Sequence, residues 1–184
     1  MLTILVSRFK VNIITVDGRN CQVQGAFVER NGHFVHMRAC ESFPDIAAVE
    51  IVVMRWRRFW TLMIPMRVQE SVIAFLRQYH GKCDLSFDCY AFVNLVWGIP
   101  QHKVIDAQTH WKTRPYWLWS RPRPGDVVFL LNEELNFFYH AAVYLGMGLY
   151  LSVYGAGGDL EITSLRDMKR AFGAAYTRFA QPRC

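Results

Sequence analysis

The sequence predicts an α+β fold in which two helices come first and an antiparallel β-sheet follows. Apolar residues recur at helical spacing between positions 68 and 97. After Pro124-Gly125 the apolar pattern takes the period of strands. With 184 residues, of which 52% are hydrophobic, the chain can bury a core without a disulfide or a metal. Helices followed by a run of strands are the pattern of an α+β domain.

A small β-rich module is predicted for residues 1–64, ahead of a second domain. The dipeptides Asp17-Gly18 and Asn31-Gly32 each lie between β-rich runs. Such dipeptides favour two-residue hairpins, because a type I′ turn needs positive φ at both central positions. We therefore expect a small antiparallel β-meander in this module.

The second domain, residues 65–184, is predicted to begin with two helices. The first follows Pro65, where the period becomes helical. The second is expected to have Ser86 as its N-cap, to run to Trp97 and to stop at Gly98.

Residues 100–124 are predicted to form an irregular connection rich in Trp, Pro and Arg. Their aromatic side chains either fill the gap between helix and sheet or face an anionic glycan or peptide. Strands follow, with a short helix over residues 165–172 that Ser164 caps. The predicted strands are 126–131, 136–145, 149–154, 160–163 and 174–180.

Charge and cysteine content restrict the partners and the redox chemistry. A net charge of +6 favours an anionic partner (a wall polymer, lipid headgroups or nucleic acid), but we find no nucleic-acid-binding motif. Five cysteines without a C-x-x-C pair indicate no zinc site, and we predict no cofactor. We find no signal peptide and no membrane span, so we expect a protein made in the cytoplasm. If it acts outside the cell, a specialised system has to export it.

Cys89 is the first candidate functional residue, because it combines a thiol with the start of a helix. It lies on the apolar stripe of the second predicted helix, in the first turn. Free backbone N–H groups and the helix dipole favour a negative charge there, so we expect a thiolate. The alternative interpretation is a small core residue, since free cysteine is often buried.

His140 is the best candidate for a base that would activate this thiol. It lies within a predicted strand and shares one face of that strand with Ala142 and Tyr144. In the hairpin that follows, Tyr154 falls opposite His140 and Ser152 falls diagonal to it, so either can orient the imidazole. The alternative is a core histidine bonded to a backbone carbonyl.

Three motifs in order resemble those of the NlpC-type papain-like cysteine peptidases, which cleave bacterial cell-wall peptides. Residues 87–93 (Phe-Asp-Cys-Tyr-Ala-Phe-Val) resemble the start of the family's catalytic helix, Phe-Asp-Cys-Ser-Gly-Phe-Val. Residues 124–129 resemble Pro-Gly-Asp-Leu-Val-Phe, and residues 140–146 resemble His-Val-Gly-Ile-Tyr-Leu-Gly. The resemblance covers about residues 67–180 and implies a papain-like fold.

The resemblance also implies a role for each candidate residue. Cys89 would attack an amide carbonyl, and His140 would act as general base and then as general acid. The Cys89 backbone N–H and the Tyr79 hydroxyl would hold the oxyanion, and Asp88 would bind the free amine of the wall peptide. Ser152 stands where the family usually has a third polar residue, often His, that orients the base.

Departures from the family pattern leave the substrate open. Tyr90 and Ala91 replace Ser and Gly beside the nucleophile and add bulk where substrate would lie, while Tyr154 is an alternative orienter to Ser152. The leading hypothesis is a cysteine hydrolase that acts on peptidoglycan stem peptides, as a delivered toxin or a phage wall enzyme. The alternatives are an acyltransferase or deamidase on lipid or protein with the same dyad, and a non-catalytic binding module.

Overall fold

The computed structural model describes residues 2–7, 11–16, 36–37, 47–55, 57–78, 88–100, 109–115, 122–132, 137–155, 160–174 and 176–183. The strands are β1 (Leu2–Ser7), β2 (Val11–Val16), β3 (His36–Met37), β4 (Val49–Arg55), β5 (Arg58–Leu62), β6 (Trp111–Pro115), β7 (Val127–Asn132), β8 (Phe137–Gly146), β9 (Leu149–Val153), β10 (Leu160–Ser164) and β11 (Tyr176–Pro182). The helices are α1 (Met66–Gln78), α2 (Cys89–Trp97) and α3 (Leu165–Phe172). Within these ranges no helix has the length and apolar content needed to cross a membrane. The predicted α+β class, with helices packed on an antiparallel sheet, is confirmed.

The N-terminal strands build a four-stranded sheet in the order β2-β1-β4-β5. β1 and β2 pair antiparallel, and so do β4 and β5. β1 and β4 pair parallel, so the prediction of a wholly antiparallel arrangement is wrong at this pair. A parallel pair needs a crossover of a dozen or more residues, and the chain between these strands is long enough to supply one. The predicted hairpin turns at Asp17-Gly18 and Asn31-Gly32 lie outside the described residues.

The larger sheet has seven strands in the order β3-β10-β9-β8-β7-β11-β6. All of its pairs are antiparallel. The five predicted strands appear as β7 to β11, with ends that differ by one or two residues. β3 comes from residues 36–37, within the predicted N-terminal module, but it pairs with β10 in the larger sheet. The division into two domains at residue 64 stays a prediction.

The connection before β7 contains a strand, β6, that the sequence did not predict. β6 pairs antiparallel with β11, so the expectation of a wholly irregular connection is wrong here. Trp111 fills the gap between helix and sheet, as one of the two interpretations expected. Its indole is 1% exposed, donates to Asn94 Oδ1 at 2.9 Å and packs edge-on against Phe129. Trp117 and Trp119 lie outside the described residues.

The larger sheet separates two apolar cores, and this separation determines where the site residues lie. α1 and α2 pack on one face, against side chains such as Phe129 and Val143. α3 covers the other face, against side chains such as Leu130 and Ala142. Successive residues of a strand point to opposite faces, so neighbours in β8 contribute to different cores.

Candidate active site

The start of α2 is determined by Asp88, whose side chain caps the helix. Its backbone is extended (φ −120°, ψ −173°), and its Oδ1 accepts hydrogen bonds from the N–H groups of Tyr90 and Ala91, both at 2.9 Å. The prediction of Ser86 as the cap is therefore wrong, and Ser86 itself lies outside the described residues. A carboxylate at this position also suits the positive end of the helix dipole. At the other end Gly98 takes the left-handed conformation, which confirms the predicted stop.

Cys89 is the first residue of α2, and its thiol meets the backbone of β8. The side chain is 6% exposed. Backbone groups of Ala141, of Cys89 itself and of Tyr90 hydrogen-bond to the sulfur and lower its pKa. The predicted contact between the sulfur and the helix start is therefore present. Because Ala141 follows His140 in β8, the thiol reaches the strand that carries the predicted base.

Burial outweighs these backbone groups and keeps the thiol protonated. Burial, with the negative charge of Asp88 as the next cause, raises the pKa of Cys89 to about 12. The expectation of a thiolate is therefore wrong for the resting site. A sulfur anion at this position would lose most of its hydration, and the backbone N–H groups do not replace it.

His140 lies in β8 on the face of the sheet that α3 covers. Its Nε2 is 3.1 Å from Ser152 Oγ. Its ring stacks on Phe172 of α3, with centroids 4.0 Å apart and 21° between the planes. The ring of Tyr154 packs against it at 5.1 Å. Ser152 and Tyr154 thus occupy the positions next to the imidazole that the strand register predicts.

Burial also determines the protonation state of His140. The side chain is 1% exposed, and burial lowers its pKa to about 3, so the imidazole is neutral at neutral pH. A neutral imidazole has one nitrogen that donates and one that accepts. Since Ser152 engages Nε2, Nδ1 is the nitrogen left for a nucleophile or a substrate.

Cys89 and His140 approach the same stretch of β8 from different sides. Cys89 packs in the core of α1 and α2, whereas the partners of His140 pack with α3. Within the described part of the chain no hydrogen bond joins the two side chains. The β7–β8 pairing has a bulge next to His140. It lies between the pair Leu130–His140 and the pair Leu131–Phe138. Bulges re-aim side chains and are frequent next to active sites.

Tyr90 fills core space instead of the substrate side of the helix. Its ring is 2% exposed and stacks on Phe129 at 5.9 Å, so the expectation of added bulk beside the substrate is wrong. Burial, followed by the charges of Cys89 and Asp88, raises its pKa. The Tyr90 ring points inward because position 90 lies on the side of α2 that faces the sheet. Tyr79, the other predicted oxyanion residue, lies outside the described residues.

A buried carboxylate next to these residues was not predicted. Glu161 of β10 lies directly opposite Ser152 of β9 and is 5% exposed. Alternation in the strand (Leu, Glu, Ile, Thr) could have assigned it to one face, but the sequence alone did not identify the neighbouring strand. Nowhere in the described ranges do His, Cys, Asp and Glu form a group of three that could hold a metal ion.

In this chain a cysteine begins a helix that packs on an antiparallel sheet, and a strand of the same sheet carries a histidine. The model of the NlpC/P60 family matches residues 77–176, just over half of the 184-residue chain. The chain belongs to the NlpC/P60 family, and the resemblance seen in the sequence is confirmed. Members of this family are in general cysteine peptidases and amidases of the cell wall. A comparison with curated proteins gave no match.

Proposed function

We propose that the protein is a cysteine hydrolase that cleaves amide bonds in peptidoglycan stem peptides, with Cys89 as nucleophile and His140 as base. Family membership supports the class of reaction and a cell-wall substrate in general terms. The observation that carries the proposal for this chain is the position of Cys89. It is the first residue of a capped helix, and its sulfur lies against the backbone of Ala141, the neighbour of His140.

The proposed reaction starts from a neutral thiol and a neutral imidazole. Substrate binding brings the two side chains together, and the Cys89 proton moves to Nδ1 of His140 as the sulfur attacks the amide carbonyl. The N–H groups at the start of α2 stabilise the oxyanion. The C–N bond breaks as the imidazolium returns the proton to the amine, which leaves a thioester on Cys89. His140 then takes a proton from water, and the resulting attack releases the acid and restores the thiol.

Asp88 has two tasks in this proposal, and its geometry is compatible with both. Oδ1 caps α2 through its bonds to Tyr90 and Ala91, while Oδ2 takes no part in the cap. The carboxylate is partly buried at the helix start, beside Cys89. It can therefore bind the free amine of a stem peptide without giving up the cap.

Digestion of purified peptidoglycan tests the proposal. We expect wild type to release new amino termini, measured by amine labelling and mass spectrometry of the products, and Cys89→Ala to release none. Cys184→Ala removes a different thiol and is the control that should keep the activity. Absence of new termini with wild type, or equal release by wild type and Cys89→Ala, contradicts the proposal.

A module that binds wall peptide without cleaving it is the second candidate, and one observation favours it. At rest both members of the dyad are neutral, because burial raises the pKa of Cys89 to about 12 and lowers that of His140 to about 3. Catalytic cysteines are usually activated by a lowered pKa or by an adjacent base. Sedimentation of wild type with insoluble peptidoglycan, without release of amino termini, would identify this function.

A further inference from the structure

The β4–β5 hairpin exposes apolar and basic side chains along one edge of the N-terminal sheet. Six large hydrophobic residues are exposed in the described part of the chain, and four of them come from positions 59–66. We infer that this surface binds the face of a bilayer that contains anionic phospholipids. The surface, called the β5 patch, consists of Arg57, Arg58, Phe59, Trp60, Met63 and Met66. None of these residues takes part in the proposed reaction, so the inference goes beyond the proposed function.

The apolar side chains of the β5 patch lie in water although an apolar partner suits them better. Phe59 is 61% exposed, Met63 90% and Met66 68%, while Trp60 is 39% exposed. Single exposed hydrophobic residues are ordinary on a protein surface, but a contiguous group with a polar rim marks an interaction site. Tryptophan in particular is enriched where a membrane meets water, because one end of its ring system is apolar and the other is polar.

The position of β5 leaves one side of this group open. β5 is the last strand in the order β2-β1-β4-β5, and it pairs with β4. Side chains alternate between the faces of a strand, so Phe59 and Trp60 point to opposite faces close to the turn. Leu62, farther along β5, is buried in the core of α1 and α2. An edge-on contact at the turn end of the hairpin therefore places an aromatic ring of each face in the lipid interface.

Two arginines at the turn give the β5 patch its charge. Arg57 and Arg58 are both exposed. Arg57 takes the left-handed conformation (φ 63°), which glycine or asparagine adopts at less cost, so turn geometry does not account for an arginine there. Guanidinium groups bind phosphate through paired N–H donors. The two side chains therefore suit lipid phosphates, and the net charge of +6 acts in the same direction.

Two acidic residues limit the β5 patch at the end away from the turn. Glu50 of β4 accepts a hydrogen bond from Thr61 Oγ1 at 3.4 Å. Glu70 of α1 is exposed and lies one helical turn after Met66. The charged side chains that the structure describes at the turn itself, Arg57 and Arg58, are both basic. The turn is therefore the end that meets the anionic lipid.

A bilayer fits both kinds of side chain, whereas two other occupants fit only one. A soluble polyanion binds arginines but offers no apolar phase to Phe59 and Met63. A second copy of the chain would cover the apolar side chains, but a two-fold contact would bring Arg57 and Arg58 close to their own copies. Like charges in contact disfavour that dimer. An anionic lipid surface supplies phosphates to the arginines and acyl chains to the apolar side chains.

Flotation with lipid vesicles tests the inference on the full chain. Vesicles of equal parts phosphatidylcholine and phosphatidylglycerol are compared with vesicles of phosphatidylcholine alone. We expect wild type to float with the anionic vesicles and to bind the neutral ones at least ~10-fold more weakly, since each arginine near an anionic surface strengthens binding several-fold. Added salt should weaken the anionic binding, because it screens exposed charges.

Substitutions in the β5 patch separate its apolar part from its charge. Phe59→Ala with Met63→Ala should weaken binding at least ~10-fold, because apolar area is no longer buried in lipid. Arg57→Gly with Arg58→Gln should weaken it roughly 5-fold for each charge removed, and glycine suits the turn. Met147→Ala is the apolar control. Arg166→Gln with Arg170→Gln, exposed on α3, removes the same charge elsewhere and should leave most of the binding intact.

Three results would overturn the inference. The first is wild type that does not float with the anionic vesicles, and the second is equal weakening by the patch variants and by their controls. The third is binding of wild type that Phe59→Ala with Met63→Ala leaves unchanged, which would identify a site for polyanions in general. Circular dichroism and urea unfolding show that the variants are folded. Met63→Ala alone, at a side chain that is 90% exposed, should still weaken binding ~2-fold or more if the double variants do not fold.

Two further measurements keep the outcomes distinct. Sedimentation equilibrium of wild type without lipid should give a monomer, and a dimer that Phe59→Ala with Met63→Ala dissociates would assign the patch to a second copy of the chain instead. The patch variants should still cleave peptidoglycan in the absence of vesicles if the proposed function is correct. Vesicle binding without any cleavage by wild type would end the proposed function and leave the lipid site in place.

Discussion

His140 couples the stability of the fold to pH because it is buried in its neutral form. Its pKa is lowered from 6.5 to about 3 by burial. Between these values the unfolded chain binds a proton that the folded protein does not, so the free energy of unfolding falls as the pH falls below 6.5. We expect a loss of about 2 kcal/mol from this residue between pH 7 and pH 5, measured by urea unfolding.

The variant His140→Gln supplies the control for this prediction. Glutamine is polar and does not titrate, so the part of the pH dependence that comes from position 140 should vanish. The variant is expected to be less stable than wild type at pH 7, since the stacking on Phe172 is lost. Equal losses of free energy in both proteins between pH 7 and pH 5 would show that His140 is not the source.

Sequence patterns identified Cys89 and His140 but not their protonation states. A helix start and strand alternation are local features, which is why both residues, and Ser152 beside His140, could be located. The pKa of each group depends on how completely distant elements cover it, and α3 contributes Phe172 to that cover. Glu161 escaped prediction for a similar reason, since its relation to Ser152 exists only through the pairing of β10 with β9.

At the start of α2, the Asp88 carboxylate stabilises the helix and disfavours ionisation of the Cys89 thiol. Asp88 caps the helix, and its charge also helps to raise the pKa of Cys89. Asparagine caps about as well as aspartate, so Asp88→Asn should preserve α2 while lowering that pKa. We expect Cys89 to react faster with iodoacetamide at a given pH between 8 and 11, measured by mass spectrometry of its peptide. Peptidoglycan cleavage should fall, because the proposed partner of the substrate amine is gone.

Two variants delimit this prediction. Glu70→Gln removes an exposed carboxylate of α1 and should leave the labelling rate of Cys89 unchanged. Asp88→Ala loses the cap and should cost about 1 kcal/mol of stability. If Asp88→Asn labels at the same rate as Glu70→Gln, the charge of Asp88 does not control the thiol.

The elements that the sequence located least well are those formed by long-range pairing. β7 to β11 follow from local periods. α3 also follows from its cap at Ser164, and the end of α2 follows from Gly98. β6 exists because it pairs with β11, and β1 lies beside β4 in the parallel sense; neither pairing has a local signature. The helix cap was misplaced by two residues because Ser86 and Asp88 both suit a helix start.

In the molecule as a whole, the larger sheet separates the two cores in which the candidate site residues pack. The thiol belongs to the core of α1 and α2, and the imidazole packs with α3 on the other face. Side chains of the N-terminal sheet, such as Ile51 and Leu62, share the core of α1 and α2. The proposed nucleophile and the proposed base therefore pack on opposite faces of the sheet, and the proposed reaction requires the two to meet at β8 when substrate binds.

The proposed reaction requires Cys89 to form a covalent bond with the acyl group of the cleaved amide. The most direct measurement is the mass of the Cys89 peptide after acid quench during turnover of a soluble stem peptide. We expect a mass increase equal to the acyl fragment on Cys89, at early times and in wild type only, with Cys89→Ala inactive. Release of new amino termini while Cys89 stays unmodified at every quench time would contradict it.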